Sequence, residues 1–252
     1  MIIDRPLPNQ IPLLRALWKE AFRDSDAYLD IFFHRAFSYD RCRCVTVNGE
    51  VVSALYWFDC RWQQKRLAYI YAVATLKDRQ GQGLCRALME STHTHWQQSG
   101  YDGAILSPES DALFTMYGKF GYRTCSFVQE FTCTAAGEPL PLTPATPEEY
   151  AAARRALLPE NSVLQEGVAL DLLSAYAQLY TGPNLALAAY PNGEELFVCE
   201  LLGSPQTASQ ILATLGFSKG SFRVPDSQKP FAMYQSLTDD PAMPDYFGLS
   251  LA

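Results

Sequence analysis

Val73-Ala74-Thr75-Leu76-Lys77-Asp78-Arg79-Gln80-Gly81-Gln82-Gly83-Leu84 joins a run rich in Tyr, Ile and Val, about Leu67 to Ala74, to a helical stretch from Leu84 to about Gln98. Strand, glycine-bearing turn and helix follow in that order. A turn of this kind presents several backbone N–H groups at the start of a helix, where the helix dipole also favours negative charge. Gly81 and Gly83 keep side chains out of the space a pyrophosphate needs and tolerate φ values that other residues avoid. Arg79 and Gln80 add donors at the mouth. Glycine spacing alone is equally compatible with an ordinary strand-to-helix connection. Nucleotide-binding alternatives fail on detail: no Gly-Lys-Ser/Thr is present, and no third glycine completes a dinucleotide fingerprint.

On the N-terminal side, two helical stripes are legible between Leu7 and Phe37. Leu13, Leu14, Leu17, Trp18 and Phe22 form one, and Tyr28, Ile31, Phe32 and Phe37 the other. Asp24-Ser25-Asp26 between them supplies helix-stop and N-cap chemistry. Cys42–Val47 and Val51–Phe58 read as strands, and the intervening Asn48-Gly49 predicts a hairpin. Gly100 closes the helix after the glycine turn. A short buried strand at Ala104–Leu106, a helix at Asp111–Lys119 and a strand at Tyr122–Thr132 follow.

Residues 135–147 are dense in Pro, Thr, Ala and Gly and read as a linker between a unit at 1–134 and a second at 148–252. The second unit predicts helices near Glu148–Leu158, Val168–Tyr180 and Gln206–Leu215. It also predicts a hairpin through Pro191-Asn192-Gly193 and a late strand at Phe231–Ser236. Helices and strands alternate in both halves, so the fold class is α+β.

Composition bounds the function. Hydrophobic residues make up 48% of the 252 and charged residues 19%, the balance of a soluble globular protein with a real core. No apolar run is long enough to span a membrane, and the start lacks the pattern of a secretory signal, so a cytoplasmic location is expected. The odd count of seven cysteines, scattered without zinc spacing, reads as reduced core thiols and no metal site. His93 and His95, two apart on a helix, face different ways and form no metal pair. A net charge of −7 argues against nucleic acid, which needs a basic stripe, and would favour approach of a cationic amine.

A second motif, Tyr117-Gly118-Lys119-Phe120-Gly121-Tyr122, lies downstream of the short strand. With the stretch from Val73 to Leu84, it resembles the motif pair of the GCN5-related N-acetyltransferases (GNAT), over roughly Met1 to Cys133. The resemblance implies a mixed, mostly antiparallel sheet flanked by helices, followed here by a smaller α+β partial GNAT-like unit. It departs from the family at Asp78, where Gln or Arg is usual; a carboxylate there must point away from phosphates.

The same resemblance implies acetyl-CoA as cosubstrate and transfer of its acetyl group to a primary amine of a small molecule or peptide. Tyr71, Ala72 and Val73 would pair with the pantetheine arm, and the Val73 N–H would meet the thioester oxygen. Arg79, Gln80, Gly81, Gln82, Gly83 and Leu84 would hold the pyrophosphate. Tyr117 would protonate the departing thiolate. Glu109, Asp111 and Glu130 are the nearby carboxylates, and none stands out as a general base. Leu215-Gly216-Phe217 echoes Phe120-Gly121-Tyr122, which places Leu212 opposite Tyr117 in a second unit without a glycine loop. That pattern resembles the tandem, enhanced-intracellular-survival type of acetyltransferase, lacking its third domain. The competing reading of the second unit is an interaction or dimerisation module, giving a homodimer. The competing reading of the function is a catalytically silent acyl-CoA sensor.

Overall fold

The computed structural model describes residues 1–251. In chain order the elements are β1 (Ile2–Asp4), α1 (Ile11–Phe22), α2 (Asp26–Arg35), β2 (Cys42–Val47), β3 (Glu50–Trp62), β4 (Lys65–Thr75), α3 (Leu84–Gln98), β5 (Gly103–Leu106), α4 (Asp111–Gly118) and β6 (Arg123–Thr134). The chain continues through β7 (Thr143–Pro144), α5 (Pro147–Leu157), β8 (Leu164–Gln165), α6 (Val168–Leu173), β9 (Gln178–Gly182), β10 (Leu185–Asn192), β11 (Glu195–Leu202), α7 (Ala208–Leu215), β12 (Lys219–Pro225) and β13 (Lys229–Ser236). The class is α+β. Local chemistry sets the boundaries: Ser25 Oγ accepts the Tyr28 N–H to start α2, and Asn48 and Gly49 both take positive φ in the β2–β3 turn.

One sheet runs through both halves in the order β1-β2-β3-β4-β5-β13-β6-β12-β11-β10-β9-β7, with β8 attached to β3. All neighbours are antiparallel except β4–β5 and β11–β12, which α3 and α7 respectively connect. The order repeats about its centre. β2-β3-β4-β5 is followed by β13, and β9-β10-β11-β12 by β6, so each half receives the other's last strand.

Two expectations need correction. The helix expected over Val168–Tyr180 ends at Leu173, because the backbone from Gln178 pairs with β10 as β9. Leu215-Gly216-Phe217 closes a helix between two parallel strands, so its counterpart is Ser99-Gly100-Tyr101 after α3 and not the turn after α4. The apparent match of Leu212 with Tyr117 therefore fails. β12 and β1 were also not anticipated.

The largest core joins the halves: Trp18, Phe32 and Trp62 pack with Tyr150, Leu173 and Phe247 in one cluster. The opposite face of the first half is covered by α3 and α4 around Leu88, Trp96 and Tyr117. The C-terminal segment is threaded through the large core. Ser126 Oγ donates to the Phe247 carbonyl (2.9 Å) and accepts the Phe247 N–H (3.0 Å), and the Leu251 N–H reaches the Tyr69 hydroxyl (3.0 Å).

Candidate active site

β4 pairs with β5 only from Leu67–Tyr69 to Gly103–Ile105, after which the two strands part. Its register with β3 slips between Ala54–Ala74 and Tyr56–Tyr71, leaving a bulge at Ala72–Val73. Ala72 sits there at φ +50°, a left-handed conformation that costs a residue with a Cβ about 1 kcal/mol or more. The bulge lies just beyond the point where β4 parts from β5. A continuous cleft of about 1050 Å³ occupies the gap between these two strands.

At one end of the cleft lie Gly81 and Gly83, at φ +74° and +78°. A Cβ on either would meet no atom within 4 Å, so backbone conformation and access, not packing, call for glycine. Gly83 caps the 15-residue α3, and no side chain caps its first turn. Those N–H groups therefore remain available to an anion.

Tyr71, Ala72, Val73, Arg79, Gln80 and Leu84 also line the cleft, while Gln82 does not. The Gln82 amide donates to the Asp78 carbonyl (3.3 Å), and Arg79 is turned towards Glu50 (3.3 Å). Asp78 is 76% exposed and off the cleft wall. Arg86, which sequence reasoning passed over, lines the cleft with its guanidinium 4.7 Å from the Phe120 ring centroid. As a cation one turn into α3, it was signalled only by position.

Tyr117 lines the same cleft and is 7% exposed. Burial raises its phenol above the ordinary tyrosine range, so it stays protonated at neutral pH. Burial likewise pushes the nearby Cys85 thiol up to about 11. Of the three carboxylates considered, only Glu109 lines the cleft. Burial works to raise the Glu130 carboxyl, but bonds and charges from Lys229 and Arg223 outweigh it and hold it low.

The other end of the cleft is aromatic. Trp18 and Tyr28 come from α1 and α2, Tyr69 and Tyr71 from β4, and Tyr176 and Tyr190 from the second half. The hydroxyls of Tyr28 and Tyr71 hydrogen-bond one another, and the Trp18 indole N–H donates to Asp24 (2.8 Å). The Tyr176 hydroxyl is buried without a partner. Ser250 and Leu251 complete this wall. Neither Tyr176, Tyr190 nor the terminal segment carries a sequence motif that could have announced it. Among the described residues, no group of three or more His, Cys, Asp or Glu side chains could hold a metal ion, and no helix is long and apolar enough to cross a membrane.

Residues 6–125 match the family model of an acetyltransferase (GNAT) domain. The fold as a whole is similar to solved structures of GCN5-related N-acetyltransferases. One from Anabaena variabilis has a TM-score of 0.72 at 15% identity, over 94% of this chain and 73% of the other. One from Kribbella flavida has a TM-score of 0.69 at 16% identity, over 94% and 72%. Eis1 from Mycobacterium abscessus has a TM-score of 0.67 at 12% identity, over 94% and 74%. Comparison with curated proteins gives no match. Identities this low speak for the fold alone. Over residues 6–125, just under half of the chain, the sequence is therefore similar to an acetyltransferase (GNAT) domain, and the fold as a whole is that of the solved GCN5-related N-acetyltransferases.

Proposed function

We propose that the protein transfers an acetyl group from acetyl-CoA to a primary amine of a small molecule or peptide by direct attack on the thioester. One observation carries this reading: a single cleft holds an uncapped helix start behind two positive-φ glycines, a bulged strand edge, a buried tyrosine hydroxyl and an aromatic chamber. The first three are the parts an acyl-CoA thioester needs, and the fourth is where an acceptor fits.

In this mechanism the α3 amides and the Gly81–Gly83 backbone hold the pyrophosphate, and the β4 edge from Tyr71 to Val73 pairs with the pantetheine arm. A neutral amine in the aromatic chamber attacks the carbonyl carbon. The Val73 N–H stabilises the charge that develops on oxygen. As the C–S bond breaks, Tyr117 gives its proton to the sulfur, the excess proton on the new amide nitrogen leaves to water, and water returns a proton to the Tyr117 phenolate. A phenol raised by burial is a poorer acid in water, but the departing thiolate is in the same dry cleft. Burial moves the Cys85 thiol on the same cleft wall in the same direction.

This reading assigns coenzyme binding to residues 1–134, treats 135–147 as a connection, and gives 148–252 one wall of the acceptor chamber. The seven free thiols suit a reducing compartment, the cytoplasm.

The test is turnover of Tyr117→Phe in a thiol-release assay over a panel of amines. The variant should lose at least about tenfold in kcat, about 1.4 kcal/mol, with acetyl-CoA affinity within twofold of the parent. Unchanged kcat would remove Tyr117 from the mechanism, and absence of turnover by the parent on every amine would favour the sensor reading.

A further inference from the structure

On the α3 side of the sheet, away from the cleft, a second cavity of about 470 Å³ lies between the start of β2 and the C-terminal end of α3. Arg5, Arg41, Arg43 and Arg66 all line it, in a chain whose net charge is −7. Taking a guanidinium out of water costs several kcal/mol, to order of magnitude, unless an opposite charge and hydrogen bonds replace the solvent. The four arginines differ in how far this is met.

Arg41 and Arg66 share one carboxylate, Asp59, and Arg66 also lies 3.9 Å from the Tyr101 ring centroid. Arg5 lies 3.4 Å from Asp40, both of them largely exposed. Arg43 is the exception: its side chain is only 13% exposed. Its Nη2 donates to the Ile3 carbonyl (2.9 Å) and Ser91 Oγ (3.2 Å), both neutral acceptors. Its Nη1 is 3.9 Å from Asp4, whose carboxylate is 70% exposed, and its Nε has no partner. Arg43 thus brings a buried positive charge to the cavity wall without a carboxylate at hydrogen-bond distance. Four cations face three carboxylates, Asp4, Asp40 and Asp59, two of them mostly solvated. His95 on α3 also lines the cavity. Burial first, and the charge of Arg43 second, lower its pKa, so it does not add to the positive charge at neutral pH.

We propose that this cavity binds a small oxyanion of the phosphate type, as inorganic phosphate or a phosphomonoester, with Arg43 as its buried anchor. Guanidinium groups match tetrahedral oxyanions by paired, charge-assisted hydrogen bonds. The volume is that of a small-molecule site. Arg5 at the exposed rim can close on a ligand because its own pairing with Asp40 is long and solvated.

The experiment is calorimetric titration of the full chain with inorganic phosphate, at fixed ionic strength in chloride buffer, and in parallel with glycerol 3-phosphate. One saturable site is expected in the parent. It should be retained in Gly83→Glu, which obstructs the glycine turn of the other cleft, and weakened at least tenfold in Arg43→Gln. Tighter binding of glycerol 3-phosphate would identify a phosphomonoester as the better ligand, and equal binding would identify phosphate itself. Absence of saturable binding of both probes overturns the proposal. So does binding that is lost in Gly83→Glu and kept in Arg43→Gln. Should Arg43→Gln fail to fold, Arg5→Gln must weaken binding severalfold, and an unchanged affinity there overturns it equally.

Discussion

β4 and β5 pair in parallel for three residues and are joined through α3; β11 and β12 pair in parallel for three residues and are joined through α7. Beyond that shared topology the two regions differ at every step that could admit a ligand. The first connection carries Gly81 and Gly83 with open space where a Cβ would stand. The second carries Gly203, at φ +114°, where a Cβ would also meet the Asn184 carbonyl at 2.5 Å, so that glycine leaves no open space for a ligand. Neither helix has a side-chain cap, but α3 has 15 residues and starts directly at Gly83, while α7 has 8 and continues a 3-10 turn from Pro205, whose carbonyl accepts the Ala208 N–H.

Four residues beyond the Leu67–Gly103 pair stands Tyr71, on the wall of a cleft. Four beyond the Leu196–Gly220 pair stands Glu200, fully buried. Its carboxylate accepts from Arg154 (2.7 and 3.0 Å), Tyr150 (3.0 Å) and Tyr246 (3.1 Å). Parallel strands joined by a helix create a slot. The residues just past the last paired position decide whether it stays open or is filled.

Filling by a saturated ionic cluster predicts the largest effect. Glu200→Ala leaves Arg154 charged and uncompensated in the core, and should cost about 3–5 kcal/mol in urea unfolding. A loss under about 1 kcal/mol would mean that the second slot is not held shut this way. In the open slot, Gly83→Glu should weaken acetyl-CoA binding at least about a hundredfold, about 2.7 kcal/mol, while costing only about 1–2 kcal/mol in unfolding for a Cβ at φ +78°; unaltered affinity would contradict the role given to the turn.

The two helices also differ in their ionisable groups. α7 has none, whereas on α3 burial holds the His93 imidazole down at about 4, beside the Tyr122 hydroxyl (2.7 Å). Below its usual pKa near ~6.5 the unfolded chain binds a proton that the folded chain refuses. This contribution is therefore fully present above pH ~6.5 and is lost as pH falls towards ~4, by about 2 kcal/mol after allowing for partial exposure. His93→Gln should flatten the stability profile in that window, and an identical slope would show that His93 is not the cause. The smallest effect concerns the wall that the second half lends to the first. Tyr176→Phe removes an unpartnered hydroxyl and should raise the acceptor KM about fivefold, about 1 kcal/mol, with coenzyme affinity unchanged; an unmoved KM would release Tyr176 from acceptor recognition.

Much of the open slot was legible because its determinants are local. The glycine turn, the helix after it and the Tyr117 segment follow one another along the chain, and each has its own residue signal. The same holds for the Asn48-Gly49 hairpin. The pairing of β13 between β5 and β6 was not legible, since a strand's pattern states that it pairs but not with which distant partner. β12 was missed because Gly220 and Pro225 break its pattern. Ala72 gave no warning of its left-handed conformation, which the surrounding sheet imposes. The burial of Tyr246 and Phe247 was hidden for the same reason: the partners Glu200 and Ser126 lie far away in sequence.

The most direct test of the contrast between slots is a crystal structure of the full chain grown with acetyl-CoA. The account predicts a diphosphate on the amides from Gly81 to Leu84, the thioester oxygen within hydrogen-bond reach of the Val73 N–H, and no coenzyme between β11 and β12. Coenzyme bound elsewhere, or a diphosphate that makes no contact with the turn at saturating concentration, would contradict it.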